Sequence, residues 1–245
     1  MANLQSTRVS TTIPGRLLYV VNHSFPYSSN GYAVRTHGIA TALANKGYSV
    51  IVVNRPGMPW DFPGYSSQEA LSSKIIDGVR YLFLRQPSSK AMSWDEYLSA
   101  AKNALLEVLR VFKPGAVMAA SNWENALPAR DAAKDAGLPF FYEVRGFWEI
   151  SKLSREPGYE KSDDFKHRVR METQVALSAQ SVFTLNRFMK DELIRRGVDA
   201  DKIDLVPNAL GKAPVASAPS QTVRKHLGIT SKRVVGYIGS FTPYE

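Results

Sequence analysis

Arg16-Leu-Leu-Tyr-Val-Val-Asn22, the loop His23 to Asn30, and Gly31-Tyr32 running on to Lys46-Gly47 together decide the fold. Leu17 to Val21 form an unbroken apolar run, as in a strand covered on both faces. The loop after it is polar and turn-rich. Asn30 can cap a helix, and Gly31 leaves its first turn open to close approach by a ligand. Ala33, Thr36, Ala40, Leu43 and Ala44 recur at helical spacing, and Gly47 is placed to end the helix in a left-handed cap. Val50-Ile51-Val52-Val53 is a second apolar strand. A right-handed strand–helix–strand unit sets the 23–31 loop at the carboxyl edge of a parallel sheet, where ligands of open α/β sheets bind.

The same rhythm continues outward. Asn54 to Ser73 is rich in Pro, Gly and Ser, too long for an ordinary connection and so expected to be a functional or mobile loop. Asp77-Gly78 between two apolar runs predicts a hairpin. Tyr97, Leu98, Ala101, Ala104, Leu105, Val108, Leu109 and Phe112 trace the stripe of a long helix that Pro114 ends, best used for packing on the sheet. Strands are expected at 117–120, 139–144, 182–185 and 203–206, with helices between them to Ala136, over 164–179 and over 187–196. Residues 151–162 read as turns. Three helices end on glycine, at Gly47, Gly137 and Gly197. Helices and strands alternating in this way specify an α/β fold with a doubly wound, mainly parallel sheet, Rossmann-like in kind. Polar groups gather at the strand ends: Asn22-His23, Ser121 to Asn125, Glu143 to Gly146, Asn186-Arg187 and Pro207-Asn208. In such a sheet all of these lie along one edge.

Residues 1–15 read as a loose tail and 16–210 as the Rossmann-like domain. Residues 211–232, rich in Ala, Pro, Ser and Lys, read as an interdomain linker with a short helix near Gln221 to Leu227. Arg233 to Ser240 reads as an apolar strand opening a further α/β unit, so 233–245 is expected to begin a second, truncated domain.

The 245 residues carry 31 Lys and Arg against 22 Asp and Glu, a net charge of +9, which favours anionic partners. The basic residues are dispersed and form no basic-aromatic module, so nucleic acid is not expected. Peripheral contact with an anionic membrane surface explains the charge better. The chain holds no cysteine, which excludes disulfides and thiolate chemistry and agrees with a cytoplasmic setting at or near the inner membrane face. No apolar run reaches the length of a membrane span. G-x-G-x-x-G does not follow the first strand, which disfavours a dinucleotide site, and neither a P-loop nor a G-x-S-x-G elbow occurs. The four histidines, at 23, 37, 167 and 226, form no metal-ligating pair, so no metal is expected. His37 reads as a structural histidine; His23, at a strand end, reads equally as structural or functional.

The ordered set of the glycine-started helix, Lys46-Gly47-Tyr48-Ser49-Val50, Asp201-Lys202-Ile203, Val206-Pro207-Asn208-Ala209 and Val235-Gly236-Tyr237-Ile238-Gly239-Ser240 resembles the family-4-type retaining GT-B glycosyltransferases. The likeness runs from Arg16 through nearly the whole chain. It implies the N-terminal, acceptor-side domain of an enzyme moving sugar from a nucleotide-sugar to a glycan or lipid-linked acceptor in polysaccharide or glycolipid synthesis. The donor is then a substrate and no cofactor is implied. The donor-binding groups of the family would fall after Glu245, so the resemblance implies an incomplete chain, inactive alone.

By the same resemblance the loop Ser28 to Tyr32, with Asn30, Gly31 and Tyr32, closes over the donor phosphates, since free N–H groups at a helix start suit a diphosphate; His23, at the strand end before it, is a further candidate for binding substrate. The turns around Asn122 and Gly146 correspond to acceptor loops. Arg145 stands where many members have His; it cannot act as a base and is expected to bind a phosphate or carboxylate through its planar fork. Glu143 and Glu124 are the candidate catalytic carboxylates, although Glu143 with Arg145 can equally be a plain ion pair. Trp148 and Phe147 can stack on sugar or pack in the core. Arg187 and Asn208 face the same edge. A non-catalytic sugar- or phosphate-binding α/β module is the alternative, and an NAD-dependent enzyme is disfavoured by the glycine pattern.

Overall fold

The computed structural model describes residues 8–9, 11–65, 71–209 and 221–237. Along the chain run β1 (Ile13–Val21), α1 (Gly31–Asn45), β2 (Ser49–Asn54), β3 (Ser73–Ile76), β4 (Val79–Leu82) and α2 (Trp94–Phe112). Then come β5 (Pro114–Ala120), α3 (Trp123–Ala136), β6 (Phe140–Val144), α4 (Trp148–Leu153), α5 (Asp163–Ser178), β7 (Ser181–Thr184), α6 (Arg187–Arg195), β8 (Ile203–Leu205) and α7 (Gln221–His226). The strands form one sheet in the order β3-β4-β2-β1-β5-β6-β7-β8. Every neighbouring pair is parallel except β3–β4, joined by the Asp77-Gly78 turn. Both turn residues have positive φ, 47° and 78°, the requirement of the hairpin turn that matches strand twist.

The winding reverses between β1 and β5, which lie side by side at the centre while β2 and β6 flank them. A crevice opens at the carboxyl ends of such a pair, because the connections leaving the two strands depart in opposite directions. Side chains of the central strands alternate cleanly between two cores. Leu18, Val20, Ile51, Val53, Val117, Ala119, Tyr142 and Val182 pack with Leu105 and Leu109 of α2, Ala129 and Ala133 of α3, Val175 of α5 and Leu193 of α6. Tyr19, Val21, Val50, Val52, Met118 and Ala120 face the other way, onto Ala40, Ile39 and Leu43 of α1. Four long helices thus share one face. On the opposite face α1 leaves an apolar groove of about 670 Å³ beside it, walled by Leu17, Met118, Phe141 and Phe183.

Local chemistry fixes the helix ends. Asn30 accepts from the Ala33 N–H, as its residue type at that place predicts. Ser93 and Glu96 form a reciprocal capping box at the start of α2. The long 55–72 connection is anchored where Asp61 accepts from the Ser88 hydroxyl and from the Ser89 N–H and hydroxyl.

Three expectations change. The tail over 1–15 is shorter: β1 begins at Ile13, whose N–H donates to the Lys113 carbonyl at 2.7 Å, and the Val9 N–H reaches the Ala136 carbonyl. Pro14-Gly15 looks like a chain break but sits at the register shift where β1 pairs β5, with Gly15 at φ +74°. The turn segment 151–162 in fact contains the second half of α4, which starts at Trp148, with three residues between it and the end of β6. Arg233 to Tyr237, expected as a strand, is exposed and joins no strand among the described residues; 238–245, and 210–220 of the linker region, lie outside the described residues. The short helix of that region is α7.

Candidate functional site

The carboxyl ends of β1, β5, β6, β7 and β8 converge on the start of α1. Glu143, the penultimate residue of β6, lies at the floor of this region. Its carboxylate accepts from Arg35 Nε at 2.7 Å, from Arg145 Nε at 3.0 Å and Nη2 at 2.8 Å, and from the Tyr19 hydroxyl. Burial pushes this carboxyl upward, but Arg145, Arg35 and the Tyr19 bond outweigh it and hold it below the usual carboxylate range. It is therefore ionised between two cations.

Arg145 spends its whole fork internally. Besides Glu143 it donates to the Tyr32 carbonyl at 2.8 Å, to Thr36 Oγ1 at 2.9 Å and to Tyr19 Oη, and its guanidinium lies 4.3 Å from the centre of the Tyr32 ring. The expected free fork for a phosphate is thus absent: the side chain is 6% exposed and every nitrogen is engaged. Arg145 instead fixes the first turn of α1 to β6. The expected catalytic position of Glu143 changes for the same reason, since its side chain is 2% exposed and two arginines cover it.

Above this floor lies a set of buried polar atoms that have no partner among the described residues. They are Asn22 Oδ1, His23 Nδ1, Arg55 Nε, Trp60 Nε1, Asn122 Nδ2 and Oδ1, and Asn125 Oδ1. They belong to the ends of β1, β2 and β5 and the loops leaving them, which are adjacent strands at the winding reversal. Asn125 bridges β1 and β5 by donating from Nδ2 to the Val20 carbonyl at 3.2 Å and the Ala120 carbonyl at 2.9 Å. Because Asn30 Oδ1 accepts from Ala33, its amide Nδ2 faces His23 Nε2 at 3.0 Å. The His23 proton therefore sits on Nδ1, the atom without a partner. Burial lowers the pKa of His23, and Arg145 and Arg55 lower it further, so the ring is neutral at pH 7. Unpaired buried donors and acceptors cost roughly 1–3 kcal/mol each, so such a concentration calls for water or a polar ligand to complete it.

Gly31 is exposed, with open space where a Cβ would stand, so the helix start is accessible. The Tyr32 hydroxyl accepts from the Asn22 N–H at 3.0 Å, and its ring lies tilted against that of His23, with centres 4.7 Å apart. Glu124, in the first turn of α3, is 20% exposed, with Arg55 3.8 Å and Arg168 3.4 Å from its oxygens. Asn208 accepts from Arg35 Nη1 at 3.0 Å. His23, Asn30, Tyr32 and, beneath them, Arg145, Glu143, Arg35 and Asn208 are thereby linked by contacts, with Gly31 between Asn30 and Tyr32; Asn122 and Glu124 follow the neighbouring strand β5. Gly146 follows Arg145. Trp148 is 41% exposed at the start of α4, while Phe147 is buried in the core. Arg187 lies furthest out, 86% exposed at the start of α6 and 3.9 Å from Asp191. No group of three metal-ligating side chains occurs among the described residues, and no helix among them is long and apolar enough to cross a membrane.

Residues 30–209, most of this rim and sheet, match the glycosyl transferase 4-like domain. The chain belongs to that glycosyltransferase family. The fold of this glycosyl transferase 4-like chain is also that of solved glycosyltransferases of GT-B type. The Anabaena protein HepE, solved in complex with UDP-glucose, is 14% identical with a TM-score of 0.59, over 87% of this chain and 50% of that one. A sucrose-phosphate synthase from Thermosynechococcus elongatus is 12% identical with a TM-score of 0.54, over 80% of this chain and 90% of that one. Phytolacca americana UGT2 is 13% identical with a TM-score of 0.51, over 86% of this chain and 54% of that one. The chain therefore spans about half the length of the Anabaena and Phytolacca proteins. No curated protein matches it.

Several residues of this glycosyl transferase 4-like site carry no signal in the sequence. Arg35 sits mid-helix like any solvated arginine, and Tyr19 sits inside an apolar strand run. Only the coincidence of a tyrosine hydroxyl in an otherwise aliphatic strand hints that a buried polar partner awaits it. Arg55, Arg168 and Asn125 are likewise assembled by the fold alone.

Proposed function

We propose that this chain is the acceptor-side portion of a retaining glycosyltransferase that takes sugar from a nucleotide-sugar. Three things support the reading: the family, the likeness in fold to a protein solved with UDP-glucose, and above all the unpartnered polar atoms around Asn22, His23, Asn122 and Asn125. Those atoms offer buried donors and acceptors at the ends of adjacent strands, the kind of groups that sugar hydroxyls pair with. The exposed N–H groups at Gly31 and Tyr32 would meet the donor diphosphate, at the positive end of the α1 dipole. Glu124 would accept from an acceptor hydroxyl, with Arg55 and Arg168 standing beside its carboxylate. Glu143 and Arg145 would work behind it as positioning residues, holding α1 to β6 so that the donor-facing turn keeps its place. In this reading the acceptor is a glycan or a lipid-linked sugar, met in the cytoplasm or at the inner membrane face.

The protein that carries this chain, incubated with labelled nucleotide-sugars and a panel of glycan and lipid-linked acceptors, is expected to transfer sugar with its anomeric configuration kept. Glu124→Gln should lower kcat by roughly two to four orders of magnitude with little change in stability, the range of one positioned proton acceptor. Failure to transfer from any of a broad set of donors, by protein shown to be folded, would refute the reading.

A further inference from the structure

A second hollow lies just outside the rim, between α4 and α5. It has a volume of about 460 Å³, within the range of small-ligand sites, and is lined by Trp148, Ser151, Lys152, Arg155, Glu156 and Arg168. Trp148, Ser151, Lys152 and Arg155 are spaced at three- and four-residue intervals, so α4 and the turn continuing it present them as one stripe. Arg168 closes the hollow from α5. The lining thus carries three cations against one carboxylate.

Carboxylates beyond the lining also stand near Lys152 and Arg168. Lys152 Nζ lies 3.4 Å from Glu156 and 3.7 Å from Asp164, beyond direct hydrogen-bond length, and 4.1 Å from the centre of the Tyr159 ring. Arg168 is held by Asp164 at 3.0 Å, while its Nη1 lies 3.4 Å from Glu124. That last distance ties the hollow to the rim carboxylate. Trp148 supplies a flat apolar face at the mouth, the complement of the C–H face of a sugar ring. Cations beside an exposed indole suit a sugar that bears a negative charge better than a neutral one.

We propose that the hollow binds the acceptor through an anion on or beside its sugar ring, a uronate carboxylate or a phosphate, with Trp148 against the ring. This rests on the glycosyltransferase reading and narrows its acceptor to a charged class. Lys152 and Arg155 hold the anion, and Arg168 sits between it and Glu124, so that binding the charge sets the neighbouring hydroxyl near the rim.

The test is equilibrium titration of the chain with tetragalacturonate, glucose 1-phosphate and uncharged maltotetraose, followed by calorimetry and tryptophan emission. An anionic probe is expected to bind at least tenfold more tightly than maltotetraose, and to weaken several-fold as salt screens the charges. The double variant Lys152→Gln, Arg155→Gln should erase that preference while still melting cooperatively as a folded protein, and Trp148→Ala should weaken every probe that binds. Binding of one anion alone supports the site and tells carboxylate from phosphate. Equal affinity for all three probes, binding of none, or a preference that survives in the double variant would overturn the proposal. Sugar transfer only to uncharged acceptors would sink this site and leave the glycosyltransferase standing; anion binding by a protein that transfers nothing would do the reverse.

Discussion

Glu172 on α5 is completely buried, accepts from the Trp123 N–H at 2.9 Å and from the Tyr142 hydroxyl, and so caps α3 where the site residues 122–125 begin. The N-cap residue Asn122 makes no side-chain bond of its own, which leaves this capping to Glu172. Burial raises the Glu172 carboxyl to about 7; the Tyr142 and Trp123 bonds and Arg196 oppose the rise, and Glu149 adds to it. In the unfolded chain the same group loses its proton near 4.5. Between those values the folded state binds more protons than the unfolded one, so stability falls as pH rises through the window. The loss amounts to about 3 kcal/mol by pH 8, at about 1.4 kcal/mol for each pH unit between the two values. Glu172→Gln has no proton to lose. Its amide oxygen can still accept from Trp123, but its NH2 group forces Tyr142 to accept instead of donate, at a cost of about 1 kcal/mol. The variant is therefore expected to be slightly less stable than the parent at pH 5 and about 2 kcal/mol more stable at pH 8, some 4–8 °C in Tm for a domain of this size. Urea unfolding of both proteins at pH 5, 6.5 and 8 measures this directly. A difference that stays constant with pH, or a variant that is the weaker at pH 8, would refute the reasoning.

Arg35→Gln removes one of the two cations on Glu143 together with the bonds to the 206–208 backbone; with Arg145 still in place the loss should be about 2–3 kcal/mol in urea unfolding, accompanied by faster proteolysis near residue 208. Gly57→Ala places a methyl group 2.8 Å from the Asp61 carboxylate carbon at a φ of +91°, so it should cost upwards of about 2 kcal/mol by thermal melting, and free the Ser88–Ser89 anchor.

The sheet is legible in the chain because each strand is a short apolar run and each helix has a local stop. Asn30 could be assigned as a cap from its neighbours, since capping is decided within four residues. The site is a different matter. Glu143 and Arg145 permit two readings on residue type alone, and what separates them is Arg35 and Tyr19, lying 108 and 124 residues away. The capping of α3 by Glu172, 49 residues on, leaves no local mark either. The start of β1 at Ile13 lies in a polar segment without an apolar run, and only its pairing with β5 across the register shift makes it a strand. Polar strand ends could be placed on a common rim from topology; which of them stay unpaired depends on side-chain contacts that only the fold creates.

A single guanidinium, that of Arg35, touches three separate parts of the molecule. It rides on α1, grips Glu143 at the end of β6, and donates to the carbonyls of Val206 at 2.6 Å and Pro207 at 3.1 Å and to the Asn208 side chain. Whatever tugs on the backbone leaving β8 therefore pulls on the same fork that ties α1 to β6. The outgoing chain and the crevice mouth are geared together, and a lever on one turns the other.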